Sequence, residues 1–262
     1  MDTPLLQTSF ALAWDRADRS IRHPEPWGRR GAFSTMRIEG KMKRTLFKEE
    51  HLDRLMESSR LLGIDPIFDR RQVGDKLDSF LEFSKNSTPF LTRVCLFEDS
   101  LGISSRPVQP EAAELNGEIM RYKRSTPEAK STSDKELYGR VAKSNLERNE
   151  FILVDPKEER VLESATSNLI FAKGQELVIP ENEILTGIVL SKILNDLEKQ
   201  FRIERRSPEL KEIDYFEEII LCGTGREITS LARIPQAKWK RRKFKAFERI
   251  KETYNEIKLR NY

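Results

Sequence analysis

The chain is short of the side chains that most enzymes use as bases, nucleophiles and metal ligands. His23 and His51 are its two histidines, and Cys95 and Cys222 its two cysteines. The patterns HExxH, GxSxG, GxGxxG and GxxxxGKS are all missing. Zinc or triad chemistry built on histidine therefore has no footing, and neither do the glycine-rich nucleotide loops. Lysine, carboxylate, arginine and backbone amide remain. Pyridoxal-phosphate chemistry needs only those, because the cofactor is the electron sink and the protein supplies a lysine, a charge partner for the ring nitrogen and a phosphate cradle. One cradle element stands on physical grounds alone: Gly187 before Ile188 and Val189 puts unpaired N–H groups at a helix start. Taken singly, each has an ordinary reading: a solvated lysine, a turn glutamate, an exposed helix arginine, a glycine that eases a turn.

The elements that must hold such groups can be read from hydrophobic spacing. Residues 31–47 give two extended pieces, GAFSTMRI and RTLF, around the turn Glu39-Gly40-Lys41. A helix follows, with Glu49 and Glu50 near its start, Leu52, Leu55, Met56, Ser59 and Leu62 on one face, and Gly63 as its stop. Residues 69–85 form a second helix with Val73, Leu77, Phe80 and Leu81 inward, and 90–97 and 103–107 form a strand pair. Residues 116–127 are poor in apolar side chains and read as a connection. Beyond it come a helix over 135–146, the strands FILVD, RVLES, NLIFA and ELVIP, a helix over 188–201, and a strand EEIILCG with a loop at Thr224–Arg226. The first 27 residues receive no element. The division expected is an N-terminal α/β domain over 1–118, a connection over 119–127, and a C-terminal domain over 128–262 ending in a basic helix.

At 262 residues, with 37% hydrophobic and 34% charged residues, the chain can bury a real core. No window approaches the ~18 apolar residues of a membrane span, and the start shows no secretory pattern. Two distant cysteines in apolar settings leave no disulfide framework and no cysteine metal site; a reduced cytoplasm fits. The net charge of +4 is uneven. From Lys238 onward ten basic residues face three acidic ones, which leaves the preceding residues at −3. Phe244, Phe247, Ile250, Tyr254 and Ile257 recur there at helical spacing, so a docked surface helix with a solvated basic face is expected over a phosphate-binding or membrane-surface patch.

Six blocks, in order, are GAFSTMRI with HLDRLMESSRLLGI, then TRVCLFEDSLGI, PEAKST, FILVD to RVLESATSNLIF, ILTGIVLSKIL and EEIILCGTGREI. Together they resemble the class IV (fold type IV) pyridoxal-phosphate enzymes, a family that includes branched-chain and D-amino-acid aminotransferases and 4-amino-4-deoxychorismate lyase. The resemblance covers roughly 28–234. It implies a two-domain α/β (α+β) fold, with a smaller N-terminal α/β domain and a larger β-rich C-terminal domain with packed helices.

Two lysines compete for the Schiff base. Lys130 in EAKST lies 33 residues before Glu163 and Lys143 in AKSN lies 20 before it. The family's spacing, with a helix and a strand between, selects Lys130. Glu163 opens ESATSN, similar to the family's E-G-x-x-x-N signature, and the resemblance sets it against the pyridine nitrogen; Ser164 stands where glycine is common, and Asn168 completes the signature as a structural residue. Arg54, the amides of Ile188 and Val189, and Thr224 in CGTGRE correspond to the phosphate contacts. Gly225, Arg37 and Arg93 are the candidates for substrate acidic groups. Where many relatives carry a tyrosine five residues after the lysine, this chain has Lys135, and Tyr138 is the nearest tyrosine.

The resemblance implies amino-group transfer between an amino acid and a 2-oxo acid by a cytoplasmic homodimer, with no membrane span and no nucleic-acid partner. Elimination of pyruvate from an aminodeoxychorismate-type substrate is the alternative. A non-catalytic homologue, or a polyanion-binding protein acting through the basic tail, is the second.

Overall fold

The computed structural model describes residues 8–108 and 114–261. The chain divides into two compact units, 1–108 with 128–143, and 109–127 with 144–262.

In the first unit, β1 (Phe10–Asp15), β2 (Gly31–Glu39), β3 (Arg44–Thr45), β4 (Phe90–Phe97) and β5 (Ser100–Pro107) form a five-stranded antiparallel sheet in the order β1-β5-β4-β2-β3. One face of β2 and β4 carries Ala32, Met36, Ile38, Phe90, Val94 and Leu96. Helices α1 (Lys48–Leu61) and α2 (Arg70–Phe83) cover this face with Leu52, Leu55, Val73, Leu77 and Phe80, closing a dry core. A capping box starts α2: Asp69 accepts from the Gln72 backbone, and the Gln72 side chain accepts from the Asp69 N–H. Helix α3 (Lys135–Lys143) belongs to the same unit, and its Tyr138 stacks on Trp27 at 4.1 Å between ring centroids.

The second unit is built on a nine-stranded mixed sheet. Its strands are β6 (Leu115–Arg121), β7 (Asn149–Val154), β8 (Val161–Ser164), β9 (Asn168–Lys173), β10 (Glu176–Ile179), β11 (Arg202–Arg205), β12 (Glu218–Gly223), β13 (Glu227–Ile234) and β14 (Trp239–Lys240). They run β11-β10-β9-β12-β13-β6-β7-β8, with β14 on β13. Ile152, Val154, Leu169, Phe171, Phe216, Ile219, Leu221 and Leu231 form its core on one side. Helices α4 (Ile188–Glu198) and α5 (Lys245–Arg260) pack on each other and over β12, burying Ile193, Leu197, Ile250 and Tyr254.

This division differs from the one expected. The strand β6 fills part of the segment read as a connection, because it is hydrogen-bonded in parallel between β13 and β7 and backbone pairing, not apolar side chains, holds it there. The segment carrying Lys130 and α3 folds with the first unit. The N-terminal stretch contributes β1, whose Phe10, Leu12 and Trp14 pack on the core at alternate positions. The basic tail is a docked helix, as read. Trp239 is 1% exposed, with its indole N–H donated to the Phe216 carbonyl at 2.7 Å. Arg242 pairs with Asp214, Lys243 with Glu217 and Lys258 with Glu227. Phe244 departs from the expected stripe: it lies at the helix start, exposed, under Arg241. Among the described residues no helix is long and apolar enough to cross a membrane.

Candidate active site

In the first unit α1 places His51 and Arg54 one turn apart, facing Ser34 on β2. Ser34 Oγ lies 2.9 Å from His51 Nδ1, and Arg54 Nη2 lies 3.1 Å from Ser34 Oγ and 3.3 Å from the same His51 nitrogen. Burial pushes the His51 imidazole well below its usual range, with the Arg54 and Lys130 cations acting in the same direction. Because arginine can only donate, Nδ1 is the accepting nitrogen and the ring proton sits on Nε2. The hydrogen-bond partners of Arg54, Ser34 and His51, are therefore both neutral. Arg54 has no carboxylate partner among the described residues, its Nε is buried without an acceptor, and burial draws its guanidinium down to about 10. A buried cation in that state stands to gain from a paired anion.

Lys130 sits where an extended segment is pinned between α1 and β2. Its N–H donates to Ser58 Oγ at 3.1 Å, its carbonyl accepts from Phe33 N–H at 2.9 Å, and Ser131 bridges to Ala32. The ammonium lies 4.9 Å over the Phe33 ring. Tyr138 meets the edge of that ring at 5.5 Å, and its phenol is felt electrostatically by Arg54. Lys130, Arg54 and Tyr138 thus gather around Phe33 and His51. Lys143, by contrast, is exposed in the last turn of α3. Arg93 stacks over Trp27 at 4.6 Å, with its Nε buried and unpartnered among the described residues. Arg37 departs from the expectation of an available substrate arginine: it is buried, and its Nε is committed to Glu39 at 2.5 Å.

In the second unit Glu163, 4% exposed at the end of β8, pairs with Arg124 at 3.1 Å, and Arg124 Nη2 also donates to the Ala165 carbonyl at 3.3 Å. The turn that follows leads to Asn168, whose side chain accepts from the Gly187 N–H at 2.7 Å and donates to the Leu185 carbonyl at 2.9 Å. Asn168 therefore sets the start of α4. A Cβ on Gly187 would collide with Asn168 Oδ1, so glycine is required there. The Ser191 N–H is the first to return to Gly187 O, leaving the Ile188 and Val189 N–H groups without a carbonyl inside the helix. Thr224, half-buried between β12 and β13, has its hydroxyl unengaged among the described residues, and Gly225 follows it in the same turn.

Three further groups have no role in the sequence reading. His51 is one; its signal is its position one turn before Arg54. Arg124 and Glu150 are the others, and nothing in the sequence alone marks them. Both cysteines are buried and unpaired, and burial pushes the Cys95 thiol up to about 12.

The sequence profile described as "Amino-transferase class IV" matches residues 31–234. Among solved structures the chain is similar to the branched-chain aminotransferase of Thermoproteus uzoniensis with norvaline, at a TM-score of 0.78, 18% identity and 95% coverage of each chain. It is also similar to a hypothetical aminotransferase from Mycobacterium tuberculosis in its PLP-bound form, at 0.76, 15% identity, and 97% of this chain against 100% of that one. A third is an aminotransferase from Brucella abortus bound to the cofactor PLP, at 0.74, 16% identity, and 94% against 98%. At these identities the structural likeness speaks for the fold. No curated protein sequence matches the chain. The mixed α/β architecture is that of the fold-type-IV aminotransferases. The chain belongs to the class IV aminotransferase family.

Proposed function

We propose that this protein transfers amino groups between an amino acid and a 2-oxo acid, using pyridoxal 5'-phosphate held by Lys130. The observation that carries the reading is Arg54, a buried guanidinium with neutral hydrogen-bond partners and an unfilled donor. A phosphate would complete it. When bound, the cofactor supplies an aldehyde that captures an amine and a ring that takes up the electrons released at the substrate Cα.

The residues divide the remaining work. As the family's motifs assign them, Arg54, the Ile188 and Val189 N–H groups and the Thr224 hydroxyl would be the groups that hold the phosphate. Glu163, buried and paired with Arg124, would be the carboxylate that keeps the ring nitrogen protonated. Lys130 holds the cofactor at rest and then carries the proton between Cα and C4'. Its backbone is fixed at both N–H and C=O, which limits the side chain to a short arc. Tyr138 stands in for the tyrosine that relatives carry earlier in the helix. The Gly225 N–H and Arg93 receive the substrate's carboxylates, while Arg37 serves β2 through Glu39.

The test is the absorbance of the purified protein with added pyridoxal phosphate, before and after borohydride, followed by peptide mapping. A visible band that is trapped on Lys130, together with amine transfer from an amino-acid panel to 2-oxoglutarate, is expected. A protein with no band, or with the adduct on Lys143, would refute the assignment.

A further inference from the structure

One buried carboxylate is left without a role by this reading. Glu150, in β7, has a side chain with 0% exposure. Its Oε2 accepts two hydrogen bonds at 2.8 Å each, one from Thr166 Oγ1 and one from Arg226 Nε. Thr166 lies in the turn between Glu163 and Asn168. Arg226 follows Thr224 and Gly225 directly, and its Nη2 donates to the carbonyls of Leu146 at 2.5 Å and Asn149 at 3.3 Å. A single carboxylate oxygen thus fastens the turn beyond Glu163 to the turn that holds Thr224. The two turns also touch. A Cβ on Gly223 would fall 2.6 Å from Ser167 Oγ and 3.1 Å from the Thr166 carbonyl, so the backbones run as close as glycine permits.

We infer that Glu150 is a positioning residue that fixes the spacing between Glu163 and Thr224. The inference rests on the proposed function, in which Glu163 meets the ring nitrogen and Thr224 meets the phosphate of one rigid cofactor. Neither turn belongs to a regular element, so each could drift by an ångström on its own, and a site of this kind tolerates only about half that. Burying a charged pair is unfavourable unless its geometry is good and its spare donors are filled. Here Arg226 Nη2 is filled by two backbone carbonyls and one carboxylate oxygen is shared between two loops, while the other, Glu150 Oε1, is buried without a hydrogen-bond partner among the described residues. That arrangement does little for the core and much for the register of the turns.

The experiment uses the full chain and 4'-deoxypyridoxine 5'-phosphate, a probe that has the ring and phosphate but no aldehyde and so reports binding without Lys130. Thr166→Val cuts the tie on the Glu163 side while leaving the Glu150–Arg226 pair intact, and Arg226→Met cuts it on the Thr224 side. Each is expected to weaken probe binding about tenfold, the scale on which a lost hydrogen bond to a buried charge registers. Thr166→Ser keeps the hydroxyl and is expected to bind like the wild type. The double variant is expected to be no weaker than the worse single one, because both act through the same carboxylate. If Arg226→Met does not fold, Thr166→Val and Thr166→Ser still decide. A Thr166→Val protein that binds like the wild type, or losses that multiply in the double variant, would overturn the role of Glu150 alone. A wild type that binds no probe would overturn the proposed function and this inference with it.

Discussion

Replacing Arg54 by methionine should make the ligand-free protein more stable and the ligand-bound protein less so. Burial draws the guanidinium down to about 10, which corresponds to roughly 3 kcal/mol of unfavourable charge burial at ~1.4 kcal/mol per pKa unit. The sign follows from linkage: a base whose folded value is depressed destabilises the fold wherever it is charged, and the loss is recovered only as pH rises above about 10 towards the usual arginine range. Against that relief stand the hydrogen bonds to Ser34 and His51, worth about 1 kcal/mol each. The net gain for the ligand-free Met variant is about 1 kcal/mol, a rise in Tm of roughly 2–4 °C for a chain of this size. Ligand reverses the order. At a hundredfold excess over Kd, a phosphate ester stabilises the wild type by about 3 kcal/mol, and most of that depends on the charge that the variant lacks. Thermal unfolding with and without pyridoxal phosphate should therefore give crossing results, with the variant higher when empty and the wild type higher when loaded. A variant that is less stable when empty yet keeps the full ligand-induced rise would show that Arg54 is a structural residue.

Three further outcomes follow from the same geometry. Lys130→Ala should abolish the borohydride-trapped adduct, and Lys143→Ala should leave it intact, as read by mass spectrometry of peptides. Arg124→Met leaves Glu163 buried without its countercharge, so the fold should lose about 3–5 kcal/mol, measurable by denaturant titration; a loss under about 1 kcal/mol would mean that another group compensates. His51 is neutral in the fold and its value is depressed, so stability should be fully present above the unfolded value near 6.5 and fall below it by up to about 1.4 kcal/mol per pH unit. His51→Asn, which keeps an acceptor near Nδ1, should flatten that acid limb in unfolding titrations run from mildly acidic to neutral pH.

The elements that carry the candidate site were legible because they depend on local patterning. The elements that carry Arg54 and Glu163, α1 and β8, announce themselves by period and by flanking turns, while the roles proposed for the two residues come from the family resemblance; the helix start at Gly187 follows from an apolar run with glycine before it. The strand β6 was not legible. Its segment offers few apolar side chains, and its place in the sheet is secured by parallel hydrogen bonds to β7 and β13, which are distant in sequence. Arg37 shows a second limit. A strand arginine reads the same whether it awaits a ligand or, as here, is held by a glutamate two residues on. The pairs Arg124–Glu163 and Glu150–Arg226 join residues 39 and 76 positions apart, and no local period encodes such a meeting.

The tail helix grips the hairpin that carries Thr224 at both ends. The Glu218 carboxylate, at the foot of β12, accepts the Ala246 and Phe247 N–H groups at 2.9 Å each, and Glu227, at the head of β13, receives Tyr254 Oη at 2.9 Å and Lys258 Nζ at 2.7 Å. A chain cleaved between β13 and α5 would retain every residue assigned to the cofactor and still lose the frame that holds one of its loops. Retention of the visible cofactor band through purification would then serve as a check on intactness, because molecules that have shed the tail would bleach.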